Sequence, residues 1–135
     1  MVTAPDEKKL DVSKLKTITA GIKKICDLDK TPPRAKSKHV DLCAGLRERM
    51  QEADFEAAQR LVAVIAALLT DNPAAIATAL AALMPKLVEY QTARQRWIDC
   101  LVRNNDPRKS EEDKRTKQLR DLCTQLAREQ DKLDK

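Results

Sequence analysis

Between Leu61 and Val88 the chain reads LVAVIAALLTDNPAAIATALAALMPKLV, and only Asp71 and Lys86 in this stretch can ionise. Thr70-Asp71-Asn72-Pro73 interrupts it at its middle. Both halves are rich in Ala and Leu, which are strong helix formers. Asn72 or Asp71 reads as an N-cap, with Pro73 at the first helical position, where its missing N–H would have had no partner anyway. Helices joined by so short a break run antiparallel, so the stretch predicts the tip of a helical hairpin. Cys43 and Cys100 both lie about 28 residues from the break, so the register of the hairpin sets them face to face.

The apolar spacing extends the arms outward. A stripe of Cys43, Leu46, Met50, Ala53, Ala57, Leu61, Val64 and Leu68 predicts a helix over about 39–69. Near the tip Val62, Ile65 and Leu69 add a second apolar face, and such a helix needs cover on most sides. Ile76, Leu80, Leu83, Leu87, Tyr90, Arg94, Trp97 and Leu101 alternate spacings of four and three, a coiled-coil-like heptad seam that predicts a helix over about 73–103. Arg94 stands at a seam position and should snorkel outward or meet an acid on a neighbouring helix. Pro85 removes one backbone bond there and predicts a kink.

Two further helices complete the pattern. Leu15, Ile18, Ile22 and Ile25 predict one over about 13–27, ended by the Pro pair of DKTPPRAKSK. Leu119, Leu122, Leu126 and Leu133 predict another over about 110–134, with Ser110 and Asp113 placed as a capping box. The expected fold is all-α: a four-helix up-down bundle on a long central antiparallel hairpin, stapled by disulfides. Residues 1–12 read as a flexible N-terminal arm and 13–135 as one bundle domain. Phe55, Tyr90 and Trp97 are the only aromatics, so the core must be aliphatic.

Antiparallel packing gives the bundle two different poles. The connections near 28–38 and 104–109 gather Lys30, Arg34, Lys36, Lys38, Arg103, Arg108 and Lys109 into a basic pole. The net charge is +5, yet residues 39–90 are net negative. A basic pole suits weak binding to anionic surfaces or an acidic protein. It lacks the stacking aromatics and helix-turn-helix pattern that nucleic acid would call for.

At the other pole, length decides the expectation. The hairpin arms span roughly 45 Å and the first helix roughly 22 Å at 1.5 Å per residue. Laid back from the basic pole, the first helix should reach only the level of Asp54, and the fourth about the level of Leu80. Val64, Ile65, Leu68, Leu69, Ile76 and Leu80 would then form an uncovered association surface, most simply that of a homodimer.

Cys26, Cys43, Cys100 and Cys123 are an even number, and four allow three connectivities. Cys26–Cys43 with Cys100–Cys123 is the first expectation, and Cys43–Cys100 with Cys26–Cys123 the next. No CxxC or Cys/His zinc spacing is present, so no metal or other cofactor is expected. MVTAPDEKKLDVSK has no apolar h-region. Paired cysteines belong in oxidising compartments, which favours a periplasmic or secreted protein whose leader this sequence lacks, over a cytoplasmic one. No run reaches the roughly 20 apolar residues of a membrane span.

His39 and Cys43, four apart, could activate a thiolate, but a cysteine in a disulfide and a solvated histidine explain them as well. Glu111-Glu112-Asp113 suits a helix start without any catalytic role. There is no Gly-rich phosphate loop and no GxSxG. The sequence therefore points to a non-enzymatic helical protein–protein interaction module of the inhibitor, immunity or assembly-factor kind. The alternative is a membrane-active or lipid-binding helical protein that uses the apolar tip and the basic loops.

Overall fold

The hairpin turn forms as its residues dictate. In the computed structural model, which describes residues 11–31 and 41–133, Asn72 caps the following helix by accepting from the N–H groups of Ala74 and Ala75, and Pro73 occupies the first helical position. Asp71 takes the left-handed conformation at φ 54°, which turns the chain back on itself. The described residues form four helices: α1 Val12–Asp29, α2 Ala44–Leu68, α3 Pro73–Arg103 and α4 Lys109–Leu133. They pack in the cyclic order α1–α2–α3–α4, with α2 and α3 in the most extensive contact. This is the expected all-α up-down bundle on a central hairpin.

Helix boundaries follow local chemistry. Asp11 caps α1 by accepting from Lys14 N–H at 3.0 Å, so the helix starts within the stretch assigned to the arm. Residues 1–10 lie outside the described residues. Helix α2 begins at Ala44 rather than near His39, because Asp41 draws the Cys43 N–H to its side chain at 3.0 Å and holds the chain in a turn. Helix α4 begins one residue before Ser110. The carboxylate of Asp106, rather than Ser110, accepts from a backbone N–H there, that of Arg108 at 2.9 Å. Helix α3 runs through Pro85 without interruption, and Pro85 faces solvent.

All eight seam residues of α3 are buried, as are Leu15, Ile18, Ile22 and Ile25 of α1. The relative heights of the helices differ from expectation. The Lys30 carbonyl accepts from Gln51 Nε2 at 2.9 Å, and Cys26 lies against Asp54. Helix α1 thus sits roughly 20 Å nearer the tip than a tight connection would place it. The connection between Asp29 and Ala44 is long enough to permit this. Helix α4 is matched to α1 by Lys14–Glu129 at 3.3 Å. The start of α1 consequently comes level with about Leu68, and Val12 and Leu133 pack on the core.

This shift corrects the association-surface expectation. Val64, Leu68, Ile76 and Leu80 are buried inside one chain, Ile65 is half-buried, and only Leu69 is exposed. Helix α1, at 18 residues, is longer than expected and α2, at 25, shorter, and α1 does not start at the height that the expectation assumed.

Candidate functional site

The cysteines pair once. Cys43 and Cys100 form a disulfide with 5.9 Å between their Cα atoms, while Cys26 and Cys123 are buried free thiols. The first expected pairing is therefore not the one formed, and the second is half-formed. The shift of α1 is the physical reason. With Cys26 beside Asp54, it stands roughly 16 Å along the bundle from Cys43, beyond the ~7 Å limit for a bridge. Matched through Lys14–Glu129, Cys26 and Cys123 are offset by roughly 9 Å.

Neither free thiol has the character of a nucleophile. Burial, reinforced by the Asp54 carboxylate, pushes the Cys26 thiol far above its usual range, and burial pushes that of Cys123 up to about 12. The thiolate is the reactive form, and both are held away from it.

At the basic pole much of the charge is spent internally. Arg108 pairs with Asp106 at 2.8 Å and with Asp41 at 3.2 Å, and Arg47 also pairs with Asp41. Hydrogen bonds from Arg108 hold the Asp106 carboxyl below its usual range. Burial alone would raise Asp41, but bonds from Arg108 and the Cys43 N–H outweigh it and lower that carboxyl too. Lys30, carried away from this pole with α1 to the level of Gln51, pairs with Asp27 at 3.2 Å; Lys109 donates to Asn105, and Arg103 is exposed. Arg34, Lys36, Lys38 and His39 lie outside the described residues.

The bundle centre holds a polar network that the sequence only partly indicated. Arg94 of α3 crosses the diagonal to Asp29 of α1 and reaches Glu112 of α4 at 2.7 Å. It also donates to Thr116 Oγ1 at 2.7 Å and to the Glu112 carbonyl at 2.9 Å. Tyr90 donates to Asp29. Burial and the neighbouring Asp29 raise the Tyr90 phenol. Two guanidiniums approach the Trp97 ring, that of Arg94 at 5.6 Å and that of Arg108 at 5.9 Å from its centroid. Asp54 Oδ1 and Trp97 Nε1 are buried with no hydrogen-bond partner among the described residues. Burial, aided by Asp29, pushes the Asp54 carboxyl up to about 7, against the pull of Cys26 and Lys30.

Among the exposed apolar side chains of the described residues, three of α2 and its C-cap align. Phe55, Val62 and Leu69 are 65%, 55% and 75% exposed. They recur every seven residues, so they line one outward stripe of α2, opposite the buried Met50–Ala57–Leu61–Val64–Leu68 face. Glu48 and Glu52 continue the same outward face toward the basic pole. Spacing reveals the stripe, but only burial tells it from a second core face. Among the described residues no helix is long and apolar enough to cross a membrane. No family model, curated protein or solved structure matches this chain.

Proposed function

We propose that this protein is a non-enzymatic helical module that binds another protein, acting as an inhibitor, immunity-type protein or assembly factor. The exposed Phe55–Val62–Leu69 stripe carries this reading. Large apolar side chains aligned on one face of a helix match the way helical partners recognise each other. The Cys43–Cys100 disulfide supports a place of action outside the cytoplasm, in a periplasm or beyond the cell. The lipid-binding alternative loses most of its apolar tip to the core and keeps only weak attraction of anionic surfaces to the basic pole.

Affinity capture with wild-type protein and Val62→Glu, under oxidising conditions, tests the reading. A partner held by the wild type and lost by a variant of unchanged helicity supports it. A partner held equally by both removes the stripe from the function. Sedimentation at about 100 µM shows in the same samples whether the partner is a second copy of this chain.

A further inference from the structure

We infer that the outward face of α2 receives a basic amphipathic helix, whose apolar residues meet Phe55, Val62 and Leu69 and whose Lys or Arg residues meet Glu48 and Glu52. The partner class rests on the protein-binding reading above and narrows it.

Charge selects this occupant. Glu48, Glu52 and Glu56 stand four residues apart, an arrangement in which like charges on a helix repel. Glu56 is relieved by Lys86 at 3.4 Å. Among the described residues Glu48 and Glu52 are in no ion pair, although the chain has 26 Lys and Arg. Around them Gln51, Phe55 and Glu56 line a shallow depression. Among the described residues the face thus changes along its length from acidic, with two carboxylates in no ion pair, to apolar. A helix of mixed character complements both parts: apolar side chains leave water against the stripe while cations relieve the repulsion.

A second copy of this chain fits less well. A two-fold pairing presents this face to itself. Its outward positions 48, 52, 55, 59, 62, 66 and 69 are Glu, Glu, Phe, Gln, Val, Ala and Leu, with no cation among them. Acids would meet acids or apolar side chains. An anionic membrane is disfavoured for the same reason of charge.

The test uses two fluorescent helical peptides with leucines at heptad positions, one flanked by lysines and the other by glutamates. Fluorescence anisotropy at low and at physiological salt measures their binding to the intact oxidised protein. Several exposed charge pairs together should favour the lysine peptide by about tenfold, less at higher salt because exposed charges are screened. Val62→Glu should abolish binding. The pair Glu48→Lys and Glu52→Lys should reverse the preference. Val62→Gln, milder at a half-exposed position, replaces Val62→Glu if that variant loses helicity. Equal binding of both peptides overturns the basic-partner inference while leaving the protein-binding reading standing. Lysine-peptide binding undiminished by the Val62 substitutions overturns both. A wild-type dimer dissociated by Val62→Glu overturns the inference in favour of a second copy.

Discussion

Arg94 of α3 holds Asp29 of α1 through two parallel hydrogen bonds, Nε to Oδ2 at 2.9 Å and Nη2 to Oδ1 at 3.0 Å, with both side chains wholly buried. Paired guanidinium–carboxylate geometry of this kind fixes relative position as well as supplying energy. Since Glu112 and Thr116 of α4 bind the same guanidinium, one residue registers three helices.

Removing that guanidinium strands the buried Asp29 and leaves Glu112 with Arg115 alone. Arg94→Leu should destabilise the protein by about 3–5 kcal/mol. Arg94→Lys should recover little, because an ammonium cannot make the paired contact. Urea denaturation of the two variants checks this. Replacing Arg94, Asp29 and Glu112 together with apolar residues should recover much of the loss, since no buried charge is then left unpaired.

One disulfide predicts a thiol count. Denatured, unreduced protein should titrate two free thiols, from Cys26 and Cys123. Four would mean that Cys43–Cys100 does not form, and none would mean that a second bridge closes. The bridge joins residues 57 apart in sequence. Cys43→Ser with Cys100→Ser should therefore lower stability by about 4 kcal/mol through the freed unfolded chain, with native helicity retained.

Asp54 should make the protein less stable as pH rises. Its carboxyl is pushed up to about 7 from an ordinary value near 4, first by burial. The folded state therefore favours the protonated form. The resulting stability is complete below about pH 4, declines between about pH 4 and 7, and is absent above. The groups facing Asp54 are Cys26, Asp29, Asp27 and Lys30. At roughly 1.4 kcal/mol per pH unit of displacement, the decline reaches about 2–4 kcal/mol. Asp54→Asn should abolish this slope, so the wild-type-minus-variant difference in unfolding free energy should fall between pH 4 and 7. A difference independent of pH would show that Asp54 is ionised throughout.

At the hairpin tip, Leu68→Ala and Leu80→Ala should each destabilise by about 2–5 kcal/mol, as for fully buried leucines. Leu68→Glu should unfold the chain rather than yield a well-folded monomer. Circular dichroism with thermal melting separates the two outcomes. Leu69→Glu, one residue on and exposed, should melt within about 1 kcal/mol of wild type.

By itself the sequence determined the helices, their order and most of their inward faces. These are local properties: apolar spacing, the Asn72-Pro73 start and the Pro-rich stop act over a few residues. It also placed Cys43 opposite Cys100, because a tight turn carries register outward along both arms. Arg94 at a seam position already required a buried acid or an escape to solvent. The tertiary structure decided what local pattern cannot: how far α1 slides along α2. The connection from Asp29 to Ala44 is too long to impose a height, so contacts set it, among them Arg94 with Asp29 and Gln51 with Lys30. That one displacement kept Cys26 from Cys43 and buried Val64, Leu68, Ile76 and Leu80. Phe55, Val62 and Leu69 remained as the apolar stripe in water, because α1 and α3 packed against the opposite face of α2.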